Sequence, residues 1–347
     1  MKEAMFYKKA NNAVKCGLCA RNCVIPEGQT GFCRVRRNVN GKLQSLVYGK
    51  IVSVGVDPIE KKPLYMFAPG TKALSMSTMG CNFRCKFCCN AQISQEFDHV
   101  QGNEYTSEQM ISLAKREVAQ GLSYTYVEPT VFYEFAYDTA KLARSEGLYN
   151  MWVTNGYTSP EAIEKISKYL DAVVVDFKGS GNPAFYREYS QLPKVEPIYE
   201  ALLAYKKNKV YTEITNLLIP KVGDDMEDLR KLCRWIADNL GEMTPFHILQ
   251  FFPTYKMTGE RTPLETMEKA YDIAKKEGLK YVYLGNVHNH KYENTYCHNC
   301  GTLLIERSIL GVKRMIIGKD LKCPKCKECI PVKGSRWVPN ILWQKNI

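Results

Sequence analysis

The sequence contains no run of eighteen apolar residues, so it offers no segment able to cross a membrane as a helix. Its first thirty residues contain lysines but lack the apolar stretch of a secretory signal. The motifs Gly-x-Gly-x-x-Gly, Gly-Lys-Ser/Thr and His-Glu-x-x-His are also missing, which gives a nucleotide-binding fold or a zinc protease no support. We therefore expect a cytoplasmic protein with no membrane partner.

Cysteine, by contrast, is abundant and accounts for 14 of the 347 residues. Because a reducing compartment keeps thiols free, clustered cysteines there usually bind metal. All but one fall into three groups, namely Cys16, Cys19, Cys23 and Cys33; Cys81, Cys85, Cys88 and Cys89; and Cys297, Cys300, Cys323, Cys326 and Cys329. The remaining Cys233 shares helical spacing with Leu229 and Ile236, which predicts a buried core thiol.

The formal net charge of +12 is compatible with an anionic partner such as nucleic acid. A site of four thiolates around one zinc ion would offset about two of these charges. The lysines and arginines are also spread along the chain, without the runs that are typical of a nucleic-acid-binding arm. Nucleic acid is therefore a possible but less favoured partner.

Turn and strand signals divide the chain into three parts, residues 1–70, 71–290 and 291–347. The first is a small cysteine-rich β module in which Asn40-Gly41 marks a hairpin turn. In the second, short apolar runs alternate with helical stretches, which predicts an α/β fold with a parallel barrel or a doubly wound sheet. The seven predicted strands are residues 73–79, 123–127, 149–154, 172–177, 210–218, 246–251 and 281–284.

Helix starts are predicted between these strands. Thr106 with Gln109 and Thr262 with Glu265 have the spacing of a capping box. Ser159 stands directly before a proline, as an N-cap followed by proline at the first helical position does. These signals support the alternation of strands and helices.

Polar side chains follow the ends of the predicted strands. They are the cysteine loop 81–88, Glu128 with Thr130, Asn155, Asp176 with Lys178, Asn216, and Asn286 with the nearby His288. In a parallel barrel these ends lie on one face, where barrel enzymes place their active sites. Each residue alone is compatible with a cap or turn, but their joint occurrence at successive strand ends favours a site.

The central cysteines carry the prediction of reaction class. Cys81, Cys85 and Cys88 follow the pattern C-x3-C-x2-C on a loop after the first parallel strand, and can ligate three irons of a 4Fe-4S cluster while the fourth iron stays open. The alternative is a zinc site with a ligand from elsewhere, but zinc knuckles usually pair two-residue gaps. We interpret the adjacent Cys89 as a thiol outside the ligand set.

With these motifs the chain resembles the radical SAM superfamily, in particular the glycyl-radical-enzyme activating enzymes and the so-called AmmeMemoRadiSam group. The segments that carry the resemblance are residues 57–64, 80–88, 125–130, 153–157, 175–178, 251–257 and 285–287. The resemblance implies a partial (β/α)6 TIM-like barrel. It also implies an oxidoreductase that reductively cleaves S-adenosylmethionine to methionine and a 5'-deoxyadenosyl radical, which abstracts hydrogen from a substrate.

The resemblance also implies roles for individual residues. Phe87 matches a position that packs near the adenine of S-adenosylmethionine. Asn155 matches a position that contacts the ribose or the amine. Glu128 and Thr130 occupy the place of a Gly-Gly-Glu segment that meets the methionyl amine, although here Tyr126 and Val127 replace the glycines. Asp176 and Lys178 resemble an aspartate-x-lysine pair that lies beside the methionyl carboxylate and the substrate in the activating enzymes. Asn216 and Asn286 are further candidates for cofactor binding.

The flanking cysteine groups predict further metal sites. Cys297, Cys300, Cys323 and Cys326 form two C-x2-C knuckles separated by twenty-two residues, the pattern of a structural zinc ribbon. Cys329 is spare and is able to replace Cys326. Cys16, Cys19, Cys23 and Cys33 suit either zinc or an auxiliary iron-sulfur cluster, and we place this site close to the barrel mouth, with Lys61 and Lys62 as neighbours.

The predicted function is that of an activase-like enzyme acting on a protein or peptide and supplied by a low-potential electron donor. One alternative is radical modification of a small molecule or an RNA, with the zinc ribbon guiding a large target. A second alternative is a non-catalytic scaffold in which every cysteine group holds only zinc.

Overall fold

The computed structural model describes residues 1–287, 290–308 and 311–343. Its N-terminal part consists of short strands that pair antiparallel. They are β1 (Lys2–Glu3), β2 (Tyr7–Ala10), β3 (Ala13–Cys16), β4 (Val24–Pro26), β5 (Arg36–Val39), β6 (Lys42–Ser45), β7 (Lys50–Ile51) and β8 (Ser53–Pro58). Asn40 and Gly41 both have positive φ and join β5 to β6, which confirms the predicted hairpin turn.

The next part of the chain builds one large sheet. Its strands, together with the short β10, are β9 (Lys72–Ser77), β10 (Asn103–Glu104), β11 (Gly121–Tyr124), β12 (Tyr149–Thr154), β13 (Ala172–Lys178), β14 (Tyr211–Leu218), β15 (Phe246–Gln250) and β16 (Val282–Gly285). β10 pairs with β7, whereas the others pair in parallel and in chain order. All seven predicted strands are confirmed.

The strand order distinguishes between the two predicted sheet types. A doubly wound sheet reverses its strand order at a switch point, and the order from β9 to β16 contains no reversal in the part of the chain that the structure describes. At its first edge the sheet is extended by β8, which pairs antiparallel with β9. The N-terminal part is therefore joined to the sheet by backbone hydrogen bonds. The carboxyl ends of the parallel strands all lie along one side of the sheet, which we call the carboxyl edge.

Helices connect the strands. They are α1 (Ala91–Ser94), α2 (Ser107–Arg116), α3 (Tyr133–Ser145), α4 (Pro160–Ile166), α5 (Pro183–Ser190), α6 (Glu196–Lys207), α7 (Met226–Asn239) and α8 (Leu264–Lys276). The capping box at Thr106 and the N-cap at Ser159 are confirmed, and Cys233 is buried in α7 as predicted. Among the helices of the described ranges, none combines the length and apolar composition of a membrane span.

The predicted capping box at Thr262 is wrong. α8 begins at Leu264, and its N-cap Pro263 offers no side-chain acceptor. Thr262 instead donates its hydroxyl to the Leu218 carbonyl and accepts the N–H of Phe251. The buried hydroxyl therefore links the carboxyl ends of β14 and β15.

The C-terminal part adds three antiparallel strands within the described residues, β17 (Thr295–Tyr296), β18 (Leu303–Arg307) and β19 (Val312–Met315). Its buried side chains form one apolar cluster with Tyr281 and Tyr283 of the last parallel strand and its approach. Arg307 also donates to the carbonyl of Tyr65 at 2.6 Å. Since Tyr281 precedes β16, this part packs near the amino end of that strand, away from the carboxyl edge.

Candidate active site

A cleft of about 340 Å³ opens at the carboxyl edge of the sheet. Its lining includes seven of the predicted site residues, Cys81, Cys85, Cys88, Glu128, Asn155, Asp176 and Lys178. They come from the loop after β9 and from the ends of β11, β12 and β13. The parallel register places these ends side by side, and residues distant in the sequence thereby share one cleft.

The cysteine loop begins at Gly80, which has a φ of +96°. A Cβ there would lie 2.6 Å from Cγ1 of Val35, so only glycine allows the loop to pass this close to the N-terminal part. The Phe83 N–H points to Cys81 Sγ at 3.4 Å. Arg84 donates to the Cys81 carbonyl at 2.8 Å and fixes the start of the loop.

Burial determines the protonation of Cys81 and Cys85. It raises the pKa of Cys81 well above its usual value, with Glu128 and Cys85 adding to the effect. It also raises the pKa of Cys85 to about 11, opposed by the Ser190 hydroxyl, which lies 3.4 Å away and stabilises the thiolate. These two metal-free thiols are thus neutral near pH 7, and metal binding must displace their protons. Three soft donors on one loop, facing a cleft, fit an iron-sulfur cluster that keeps one iron open.

The Glu128 carboxylate is buried beside these cysteines, and both of its oxygens accept hydrogen bonds. Oε1 accepts from the hydroxyls of Thr130 at 2.5 Å and Thr154 at 2.7 Å. Oε2 accepts the backbone N–H of Asn155 at 2.8 Å. Burial raises the pKa of Glu128, and these hydrogen bonds oppose the rise. The result is a fixed acceptor that suits a cationic group such as an amine.

Asp176 and Lys178 form the second charged pair of the cleft. They stand two residues apart on β13, so both side chains lie on the same face of the sheet, with Nζ 3.2 Å from Oδ2. Burial alone would lower the pKa of Lys178, but the charge of Asp176 and its hydrogen bond to Lys178 oppose burial, and the pKa is raised. Lys178 is therefore a cation that faces the cleft next to a predicted cluster ligand.

Sequence reasoning missed Asp57, which anchors one wall of the cleft. Its carboxylate accepts from four side chains, each at 2.7 Å, namely Lys61, Lys62, Ser75 and Tyr126. Burial raises the pKa of Asp57, but these hydrogen bonds outweigh it and hold the pKa below its usual range. The short spacing from Asp57 to Lys61 and Lys62 was a signal in the sequence, whereas Ser75 and Tyr126 reach Asp57 only through the pairing of β8 with β9 and of β9 with β11.

Four predicted cofactor-binding residues do not line the cleft in the described part of the chain. The buried Phe87 packs on the Phe185 ring at 5.8 Å, and Thr130 stands behind Glu128. Asn216 accepts from the Ser180 N–H and donates to its hydroxyl, while Asn286 donates to the Gln250 carbonyl. The hydrogen bonds of Asn216 and Asn286 hold strand-end loops, and the cofactor-binding roles of all four residues stay predictions. His288 lies outside the described residues.

The C-terminal cysteines form a compact cluster. The sulfurs of Cys297, Cys300, Cys323 and Cys326 all lie within 4.8 Å of one another. Cys329 is exposed and lies outside this group. His298, between the first two cysteines, makes a 2.9 Å hydrogen bond with Tyr281 just before β16. This metal-binding cluster therefore sits near the amino end of the sheet, remote from the cleft.

Comparison with known proteins identifies the class. The family model described as the Radical SAM superfamily matches residues 75–236, which contain the cysteine loop and β9 to β14. These residues form a radical SAM domain, and such a domain implies a 4Fe-4S cluster and S-adenosylmethionine. The whole chain is in one family with Uncharacterized protein MJ0808 of Methanocaldococcus jannaschii, which is 46% identical over 332 residues, 95% of this chain and 98% of that protein.

More distant similarities agree with this class. The Pyruvate formate-lyase-activating enzyme of Staphylococcus epidermidis is 25% identical over 229 residues, 62% of this chain and 89% of that enzyme. The crystal structure of a radical SAM methyltransferase from Sphaerobacter thermophilus superposes with a TM-score of 0.50 at 16% identity, covering 67% of this chain and 70% of that one. The enzyme class and the distant relation to activating enzymes are thus confirmed, while the structural similarity shows the fold alone.

Proposed function

We propose that this protein is an activase-like radical SAM enzyme that abstracts hydrogen from a protein or peptide. Cys81, Cys85 and Cys88 hold the 4Fe-4S cluster. The observation that carries the proposal is that these three cysteines share one cleft with Glu128 and the Asp176–Lys178 pair. When bound, the cluster supplies one electron to the sulfonium of S-adenosylmethionine, which yields methionine and a 5'-deoxyadenosyl radical.

The side chains of the cleft match the charges of that cosubstrate. The buried carboxylate of Glu128 accepts from the methionyl ammonium, and its position is fixed by hydrogen bonds from Thr130, Thr154 and Asn155. Lys178 neutralises the methionyl carboxylate as a point charge. Asp176 orients Lys178 and is itself held by Thr215, whose hydroxyl lies 2.5 Å from Oδ1.

The similarity to a pyruvate formate-lyase-activating enzyme supports a protein or peptide as the substrate, and we place the chain in the AmmeMemoRadiSam group on the motifs of its sequence. A low-potential donor supplies the electron.

We propose that the open sheet is the partial barrel of this class and that the three parts of the chain are bounded at residues 70 and 290. The C-terminal cluster holds a structural zinc ion, and the protein works in the cytoplasm, where its thiols stay reduced.

The experiment is to measure 5'-deoxyadenosine formed from S-adenosylmethionine by the anaerobically reconstituted, dithionite-reduced protein. The variant Cys85→Ala is compared with wild type, and Cys89→Ala is the matched control, since Cys89 does not line the cleft. We expect product from wild type and Cys89→Ala and none from Cys85→Ala. Equal product from Cys85→Ala would contradict the ligand assignment. A protein that binds zinc but no iron would favour the scaffold alternative.

A further inference from the structure

The N-terminal cysteines line a small pocket of their own. Cys16 ends β3, Cys19 and Cys23 lie in the loop to β4, and Cys33 precedes β5. The Cys16 N–H donates to the Cys23 carbonyl at 2.9 Å and closes this loop on itself. Non-cysteine residues of the lining include Arg36 and Asn82.

Two buried N–H donors of this pocket have no protein partner within the described residues, Nε of Arg36 and Nδ2 of Asn82. Arg36 is 2% exposed and Asn82 is 1% exposed, so water does not reach them freely. The other polar atoms of both side chains are occupied. The Nη atoms of Arg36 bind Glu134 and the Met5 carbonyl, and Oδ1 of Asn82 accepts from Asn155 at 2.7 Å.

A buried donor without an acceptor destabilises a protein, so two such donors on residues that line one pocket indicate an acceptor that the protein itself does not provide. Arg21 and Arg36 also line the pocket, and the charge of Arg36 is paired with Glu134. An anionic centre rich in sulfur provides an acceptor for both unpartnered donors and attracts Arg21.

We infer that Cys16, Cys19, Cys23 and Cys33 hold an iron-sulfur cluster, with Arg36 and Asn82 donating N–H hydrogen bonds to its sulfur atoms. The spacing of the sulfurs favours this cluster over a single zinc ion. In the C-terminal group four sulfurs lie within 4.8 Å of one another, as Zn–S bonds of about 2.3 Å require. Within the described residues the N-terminal sulfurs do not form such a close group, and several irons bridged by sulfide accommodate ligands that stand further apart.

Asn82 connects this pocket with the cleft. It follows Cys81 in the chain and lines the N-terminal pocket, while its Oδ1 accepts from Asn155 of the cleft. Thr130 likewise lines the N-terminal pocket and donates to Glu128 of the cleft. Two pairs of hydrogen-bonded side chains therefore link the N-terminal pocket to the cleft. The inference stands independently of S-adenosylmethionine cleavage, since it concerns cysteines outside the cleft.

The test uses the full chain with Cys81→Ser, Cys85→Ser and Cys88→Ser combined, which removes the proposed ligands of the central cluster. After anaerobic reconstitution with iron and sulfide, we expect the protein to retain iron, acid-labile sulfide and an electron paramagnetic resonance signal on reduction. Adding Cys19→Ser and Cys23→Ser should abolish all three, while zinc at the C-terminal group and the circular dichroism spectrum stay unchanged. A zinc ion in place of iron at the N-terminal cysteines would overturn the inference.

A second variant tests the hydrogen bonds in the same background. Asn82→Leu keeps the size of the side chain and removes the donor, and it should shift the midpoint potential of the remaining cluster to a lower value with its iron content unchanged. The reason is that N–H donors to cluster sulfur stabilise the reduced, more negative state. An unchanged potential would overturn the assignment of Asn82 as a donor. Failure of the proposed function has a different signature, namely absent 5'-deoxyadenosine from a wild-type protein that carries both clusters.

Discussion

The backbone N–H of Asn155 lies 2.8 Å from Oε2 of Glu128, and the side chain of the same asparagine donates to Asn82 in the cysteine loop. One residue at the end of β12 thus fixes both the carboxylate after β11 and the loop after β9. The position of Glu128 relative to the cysteines is set by hydrogen bonds rather than by the shape of an apolar pocket. Substitutions in this set should therefore affect ligand binding more than folding of the sheet.

Glu128→Gln should weaken binding of S-adenosylmethionine to the reconstituted protein by about tenfold or more, the worth of one charge-assisted hydrogen bond. The neutral amide loses the attraction for the methionyl ammonium and turns an NH2 group towards a donor. Isothermal titration under anaerobic conditions measures the affinity. The exposed Glu161 provides the matched control Glu161→Gln, and equal affinities of the two variants would contradict this role.

Lys178→Met should also weaken S-adenosylmethionine binding, because the methionyl carboxylate loses its cation while Asp176 is left unpaired beside it. We expect a rise in the apparent dissociation constant of about tenfold, with a smaller effect for Lys178→Arg, which keeps the charge. Iron content should stay at the wild-type level. A loss of iron with unchanged affinity would place Lys178 in support of the cluster instead.

Glu60 should make stability fall as pH rises. Burial raises the pKa of Glu60 to about 7, opposed by the charge of Arg307, whereas the unfolded carboxyl keeps a pKa of about 4.3. The folded state therefore binds the proton more tightly. The stabilisation is complete below the unfolded pKa and is lost as pH rises through about 7, with a total of up to about 3 kcal/mol.

The variant Glu60→Gln isolates this effect. Its amide retains an acceptor for the Gly70 N–H, which lies 2.8 Å from Oε1 in the wild type, and it does not titrate. Urea unfolding of both proteins at pH 5 and pH 8 gives the difference in the free energy of unfolding. We expect the wild type to lose more stability than the variant between these values, and parallel losses would rule out Glu60 as the cause.

The C-terminal cluster should bind one metal ion that stabilises its own part of the chain. Cys323→Ser removes a ligand from the four sulfurs within 4.8 Å, so zinc content should fall by about one ion per chain and the melting temperature should drop. Cys329→Ser is the matched control because Cys329 is exposed and lies outside the group. If both variants lose the same zinc, Cys329 is a ligand as well.

The sequence predicted the strands where apolar residues cluster between turn residues, as in the run at residues 172–175 of β13. It also indicated that Glu128 and Asp176, which follow such runs, would lie close together, and both line the cleft. It failed at Thr262, where a buried hydroxyl between two strands has the same spacing as a helix cap. At Asn216 and Asn286 the amides hold loops, and a loop-holding amide has the same sequence signature as a ligand-binding one, so the roles predicted for these two residues stay predictions.

The sequence by itself determined the class of chemistry, because the spacing of Cys81, Cys85 and Cys88 is a local property of one loop. Only the tertiary structure decided what surrounds that loop. Pairing of β8 with β9 and of β9 with β11 brings Ser75 and Tyr126 to Asp57. Packing of the N-terminal part on the cysteine loop brings Arg36 and Asn82, each with an unpartnered donor, to one pocket. Such contacts join segments that are far apart in the sequence, so no local sequence pattern predicts them.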